Sequence, residues 1–257
     1  MGGYRWIPVP PPWLQRDLQI DGCYGGDVKG SLSISVIIPT LNEEVELPET
    51  LRRVARVPEV GEIIVVDGGS NDETIAVAKA MGARVISHGG GRGVQLRVGA
   101  EASQGEIVLM LHADTWLPPD AGRTAIELLN RPGVVAGGYL KRFRDDVPWM
   151  MRGARMRCRL LLGMYGYIYG DQGFFLKRST LDAIGGVPPV PLMEELELSN
   201  RLWEIGRLEL ADATVITAWR KFEKLGILRT YLLMWQILRA YRSGVSLDEL
   251  RRIYQGG

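Results

Sequence analysis

Three short polar clusters carry the residues best suited to chemistry: Pro39-Thr40-Leu41-Asn42-Glu43-Glu44, Asp67-Gly68-Gly69-Ser70-Asn71-Asp72 and His112-Ala113-Asp114. Their carboxylates are hard oxygen donors of the kind that hold Mg2+ or Mn2+, and they accept hydrogen bonds from the N–H and O–H groups of a base and a ribose. Each also has an ordinary structural use. Asp67 can end a strand at a turn, Asp72 and Asp114 can cap helices, and Glu43 can serve as a first-turn acid. What sets the clusters apart is that each directly follows a short apolar run.

Those runs are Ile34–Ile38, Ile63–Val66 and Ile107–Leu111, with a further one at Arg84–Ile86. They alternate with helical spacing over 44–56, 72–81, 94–102 and 121–129. Unbroken apolar strands alternating with helices predict a mostly parallel sheet covered on both faces. Ligands of such α/β sheets bind at the carboxyl ends of the strands, which is where the three clusters stand. Beyond Pro132 the rhythm loosens. A strand is expected over 134–143, a basic amphipathic helix over 148–162, a strand over 173–176 and helices over 194–205 and 226–241. Residues 1–33, with Pro8, Pro10, Pro11 and Pro12, read as a loose extension. The rest, 34–257, reads as one domain with a first half over 34–131 and a second over 132–257.

Other residues are candidates in their own right. Gly89-Gly90-Gly91-Arg92 precedes a helix, whose exposed amides attract phosphate, and the Arg92 guanidinium matches phosphate geometry. A plain loop accounts for those glycines equally well. Gly170-Asp171-Gln172-Gly173 offers Asp171 and Gln172 to sugar hydroxyls, or is simply a turn. Glu194 and Glu195 open a helix, where acids suit the positive end on their own account. As adjacent carboxylates they also repel, which raises one pKa toward the range of a working base.

In order and spacing, Val36–Glu44, Ile63–Asp72 and His112-Ala113-Asp114 resemble the family 2 nucleotide-sugar glycosyltransferases of GT-A fold, in a small bacterial subgroup with a Leu-His-Ala-Asp variant of the Asp-x-Asp motif. The likeness continues through Gly170–Gly173, Gly185-Gly186-Val187 and Pro191–Leu198. It implies a Rossmann-like nucleotide-binding half and an acceptor-side half. It also implies a metal-dependent, inverting transfer of a sugar from a UDP- or GDP-sugar to a hydroxyl acceptor. By the same resemblance Pro39, Thr40, Glu43, Asp67, Arg92, His112, Asp114 and Arg220 form the nucleotide-sugar site. Asp114 holds Mn2+ or Mg2+, Glu195 is the base that takes the acceptor's proton, and Glu194, Asp171 and Gln172 lie on the acceptor side. Three positions depart from the family pattern. His112 replaces the first Asp of the metal motif, Gly68 replaces a frequent second Asp, and Glu195 is one methylene longer than the usual base. A supporting hydrogen bond suits His112 better than metal ligation, because imidazole prefers softer ions.

Composition narrows the remaining classes. With 31 Lys and Arg against 30 Asp and Glu, a net charge of +1 supplies no global field for nucleic acid. The two cysteines, Cys23 and Cys158, have no metal-ligand spacing and suggest a reducing cytoplasm. No run approaches the ~18 apolar residues of a spanning helix, so a soluble protein is expected. The arginines at 152, 155, 157 and 159 are interleaved with Trp149, Met150, Met151, Leu160 and Leu161. They are read as core or homodimer packing ahead of peripheral contact with the inner face of a membrane. The stripe Tyr231, Leu232, Met234, Trp235, Leu238 and Tyr241 is expected to pack on the body. Two rival functions use the same acids: a nucleotidyltransferase that makes nucleoside diphosphate sugars, and a nucleotide-binding protein without catalysis. The first normally has a glycine-rich basic loop after strand one, where this chain has Thr40–Glu44.

Overall fold

The computed structural model describes residues 33–144 and 147–256, so the N-terminal extension, apart from Ser33, lies outside the described residues. The predicted alternation is present in the first half. It runs β1 Ile34–Thr40, α1 Leu47–Val54, β2 Val60–Asp67, α2 Thr74–Ala80, β3 Arg84–Ser87, α3 Arg92–Ala102 and β4 Ile107–Met110. These strands pair in parallel, β3 to β2 to β1 to β4. The strand sequences are apolar throughout because each face meets its own core. Val36, Ile38, Val65 and Leu109 point to the layer containing α1. Ile37, Ile64, Val66 and Met110 point to the layer containing α3. Alternation of side chains along a strand therefore feeds two cores rather than one core and solvent.

The second half continues β5 Thr115–Trp116, α4 Ala121–Leu129, β6 Val134–Phe143, α5 Ala154–Tyr165, β7 Phe174–Lys177, α6 Arg178–Ala183, α7 Glu194–Trp203 and β8 Arg207–Thr217. It closes with α8 Arg220–Leu225, α9 Ile227–Arg242 and α10 Leu247–Gly256. All eight strands form one sheet in the order β3-β2-β1-β4-β7-β6-β8-β5. The β4–β7, β6–β7 and β5–β8 pairs are antiparallel and the β6–β8 pair is parallel. The sheet is thus mostly parallel, as expected, but the unbroken parallel run belongs to the first half.

Several expectations change in the second half. The helix expected over 148–162 is a 3-10 turn at Trp149–Met151 followed by α5, because Gly153 breaks the chain with φ +82°. β8 has no counterpart in the sequence reading. Glu209 and Asp212 interrupt its apolar pattern, yet Leu208 is buried and so are the alternate residues Ala211, Ala213 and Val215. The stripe expected to pack against the body only partly does so. The buried line of α9 is Thr230, Leu233, Ile237 and Tyr241, whereas Tyr231, Leu232, Met234 and Trp235 are exposed. With 3.6 residues per turn these positions fall on another face. Cys158, the described cysteine, is a buried free thiol facing β6, and burial pushes its pKa up.

Candidate active site

The strand ends meet along one edge. In register, Thr40 stands opposite Asp67 and Pro39 opposite Val66, and the Leu111 N–H donates to the Ile37 carbonyl (2.9 Å). From α3, the buried Gln95 donates its Nε2 to the carbonyls of Thr40 (2.9 Å) and Val66 (2.7 Å), joining the ends of β1 and β2. This also accounts for Gly68: a Cβ there would lie 3.0 Å from Gln95 Nε2 and 3.2 Å from the Thr40 carbonyl. From α1, the Thr50 hydroxyl donates to the Ala113 carbonyl (2.6 Å) and fixes the His112–Asp114 segment.

The loops after β1 and β2 are laced together. The Asn42 N–H donates to Ser70 Oγ (2.8 Å), and the Asn71 N–H returns to Asn42 Oδ1 (2.9 Å). Asp72 accepts from the Glu44 N–H (3.2 Å) and the Thr74 N–H (3.0 Å), so it serves both as a first-turn cap and as a stitch between loops. Asp67 is fully buried and accepts from the Gly69 and Ser70 N–H groups (both 2.9 Å), from the Ser70 hydroxyl and from Thr40 Oγ1 (3.2 Å). Burial opposes its charge, but these hydrogen bonds outweigh it and hold the carboxyl below the usual range. Its acceptor capacity is largely spent within the loop.

Two ionic clusters flank the 112–114 segment. In the first, one nitrogen of Arg220, Nη2, donates to Asp114 Oδ2 (2.8 Å) and Glu43 Oε1 (3.0 Å). The other Glu43 oxygen, Oε2, is buried without a hydrogen-bond partner among the described residues. Burial raises the Glu43 pKa against the pull of Arg220. Two hard oxygen donors thus converge on one positive charge, with a third oxygen unspent. That donor set fits Mg2+ or Mn2+ completed by diphosphate and water oxygens. Among the described residues there is no cluster of three or more His, Cys, Asp or Glu able to hold a metal by itself. An ion bound there would be held by Asp114 and Glu43.

In the second cluster, Arg92 pairs with both acids that open α7. It donates Nε to Glu194 and Nη2 to Glu195 (2.6 Å). Its Nη1 lies 2.9 Å from His112 Nε2, and because guanidinium only donates, that ring nitrogen accepts. His112 Nε2 is 3.9 Å from Glu195 Oε1. Burial pushes Glu195 up, but the Arg92 guanidinium overcomes it and brings the carboxyl down to about 2. Glu194 moves the other way, raised by burial and by the charge of Glu195. The chain enters α7 through Met193 at φ +65°, a left-handed conformation uncommon for a long side chain.

A turn closes over this pair. A Cβ at Gly170 would overlap Glu195 Oε1 and His112 Nε2, so only glycine lets the 170–172 segment approach so closely. Gln172 spends its amide on structure, donating to the Tyr139 carbonyl and accepting from the Tyr169 N–H (both 3.1 Å). Asp171 pairs through Oδ2 with Lys141 of β6, and its Oδ1 is buried without a partner among the described residues. Of the residues singled out from sequence, the structure therefore joins Glu43, Asp114 and Arg220 in one cluster. It joins Arg92, His112, Glu194 and Glu195 in the other, and turns Asp67 and Gln172 inward as scaffolding. Lys141 and Gln95 were missed. A glutamine in the first turn of α3 and the Lys141-Arg142 pair at the end of an otherwise uncharged strand were the available signals.

Comparison with known proteins identifies the family and the fold. The Glycosyl transferase family 2 model matches residues 35–186. An undecaprenyl-phosphate 4-deoxy-4-formamido-L-arabinose transferase of Pseudomonas aeruginosa is 30% identical over 166 residues, 59% of this chain and 49% of that protein. A Sodalis glossinidius protein of the same name is also 30% identical, over 59% of this chain and 51% of its own length. The chain thus spans about half the length of these relatives. Among solved structures, a Pyrobaculum calidifontis mannosyltransferase in complex with GDP-Man and Mn2+ superposes with a TM-score of 0.62 at 19% identity, covering 95% of this chain and 78% of that one. Glucosyl-3-phosphoglycerate synthase from Mycobacterium tuberculosis, in complex with Mn2+, UDP and phosphoglyceric acid, gives a TM-score of 0.57 at 22% identity, covering 84% and 80%. These neighbours share the GT-A fold. With the family model covering more than half of its length, this chain belongs to glycosyl transferase family 2.

Proposed function

We propose that this protein transfers a sugar from a UDP- or GDP-sugar to an acceptor hydroxyl, of an alcohol or a phosphate monoester, with inversion at the anomeric carbon. The observation that carries the reading is the convergence of Asp114 and Glu43 on one cationic nitrogen at the strand ends, beside the Glu195 cluster. The family, and fold neighbours holding UDP or GDP-Man with Mn2+, support it. Relatives named for undecaprenyl phosphate favour a lipid-phosphate acceptor.

In this reading Asp114, with Glu43 beside it, would hold Mg2+ or Mn2+, which would supply positive charge to offset that of the departing nucleoside diphosphate. Arg220 leaves the two carboxylates for a diphosphate oxygen. Glu195 takes the proton from the acceptor hydroxyl as the acceptor oxygen bonds to the anomeric carbon. The bond from that carbon to the diphosphate breaks, and its electron pair leaves with the phosphate. Arg92 makes this step conditional. The diphosphate competes with Glu194 and Glu195 for its guanidinium, and drawing Arg92 away restores basicity to Glu195.

The test is release of nucleoside diphosphate, and transfer to candidate acceptors, from UDP- and GDP-sugars with Mn2+ present. Glu195→Gln is expected to lower kcat by ~10²–10⁴-fold, the usual contribution of a general base, while nucleotide binding persists. Asp114→Asn is expected to abolish the Mn2+ dependence of donor binding. Unchanged turnover in both variants refutes the mechanism.

A further inference from the structure

Two neighbouring helices beside the site have outer faces that the transfer reaction does not use. On α5 the outward residues are Arg155, Met156, Arg159, Leu160 and Met164, while Ala154 and Cys158 face the body. Met156 is 58% and Met164 61% exposed. On α9 they include Leu228, Arg229, Leu232, Trp235 and Arg239. Leu228 is 72% and Trp235 56% exposed, and the Arg239 guanidinium lies 5.4 Å from the Trp235 ring centroid. The helices meet near their N-terminal ends, where the Tyr231 hydroxyl lies 3.4 Å from Met151 Sδ, with Phe222 and Phe143 packed nearby. α8, which carries Arg220, leads directly into α9. Trp149, just before α5, is 79% exposed.

Charge selects the occupant. Neither 154–165 nor 227–242 contains an acidic residue, whereas each holds three arginines, in a chain whose overall charge is only +1. Asp212 of β8 lies 4.0 Å from Arg155 and 3.8 Å from Arg159, and Glu223 is exposed on α8. The cationic excess remains. Packing this face on itself in a two-fold dimer would bring arginine-bearing surfaces together. An anionic bilayer satisfies both features at once: phosphate headgroups meet the arginines, and the acyl boundary takes Leu, Met and Trp.

We infer that the outer faces of α5 and α9 form a docking surface for an anionic lipid bilayer, holding the site beside the headgroup plane. The surface is argued from exposure and charge and stands independently of the transfer reaction. It predicts that the full chain sediments with vesicles of phosphatidylcholine and phosphatidylglycerol, not with phosphatidylcholine alone, and that added salt releases it. The double variant Leu232→Ser/Trp235→Ser removes the apolar contact. Arg155→Glu/Arg159→Glu reverses two charges, each worth enough near an anionic surface that binding should fall about tenfold or more. Both variants should keep the wild-type melting temperature. Failure to sediment with the anionic vesicles overturns the inference, as does equal binding to neutral vesicles. So does a concentration-dependent dimer in sedimentation velocity that Leu232→Ser/Trp235→Ser disrupts, because a second copy would then cover the face.

Discussion

A base must be ionised and still willing to take a proton, and Glu195 meets only the first condition while Arg92 is bound to it. Its nitrogen lies 2.6 Å away and the carboxyl is depressed to about 2. Removing the guanidinium leaves burial as the main influence, and burial favours the neutral acid. Arg92→Ala is therefore expected to move the acid limb of the kcat/KM–pH profile to higher pH. The lowered carboxyl of the wild type stays ionised through the whole assay range. A limb that does not move, measured with saturating Mn2+, would show that Arg92 does not control Glu195. The same residue explains why His112 stands where the family has an acid. Beside Arg92 an imidazole acceptor completes the guanidinium's hydrogen bonds without adding a third negative charge to the pair below it.

At the scale of elements, the site depends on strand ends held by helices that lie behind them. Gln95 of α3 bonds two carbonyls at the ends of β1 and β2, where nothing else on α3 replaces it. Gln95→Leu keeps the bulk but removes both hydrogen bonds, at a net cost of ~0.5–1.5 kcal/mol each, while the Thr40 carbonyl still accepts from the Gly68 N–H (2.8 Å). The melting temperature should fall by several degrees, since ~1 kcal/mol corresponds to ~2–4 °C in a domain of this size. Nucleotide binding should weaken as well, because the loops bearing Glu43 and Asp67 lose their anchor. A thermal melt indistinguishable from wild type would show that the strand ends hold together without it. The close approach of the 170–172 turn to Glu195 works in the same way: a backbone element, rather than a reactive side chain, closes over the acid pair.

For the molecule as a whole, Glu194 is held at the expense of stability. Glu194 is 2% exposed, and its pKa is raised by burial and by the neighbouring Glu195, with Arg92 offsetting only part of this. A raised carboxyl is destabilising while ionised, and the penalty disappears as falling pH protonates it. Glu194→Gln is therefore expected to raise the melting temperature at pH 7. The gain should shrink as pH falls through the raised pKa, where the wild-type acid is already neutral. Glu195 follows the opposite rule: its contribution is complete above the ordinary carboxyl range near 4.5 and is lost as pH falls toward about 2. A lower melting temperature for Glu194→Gln at pH 7 would show that the Arg92 pair outweighs the burial penalty.

The amino-acid sequence alone determined the parallel half of the sheet and the address of the site. Apolar runs buried on both faces leave no other arrangement, and polar residues that directly follow such strands must gather at their carboxyl ends. It also marked Asp114, Glu43, Arg92 and Glu195 as candidates, through the motifs that hold them and their likeness to the family pattern. Only the tertiary structure decided which of them meet. Arg92 and Glu195 are remote in sequence, and their ion pair follows from how α3 and α7 pack against the sheet. Charge and spacing along the chain do not encode such a contact. β8 escaped the sequence reading for a related reason: its half-buried alternation is interrupted by the half-buried Glu209 and the exposed Asp212, and it becomes a strand by pairing with β6. The exposure of Leu232 and Trp235 was likewise decided in three dimensions. A helix rich in apolar residues shows its buried line only when the surface beneath it exists.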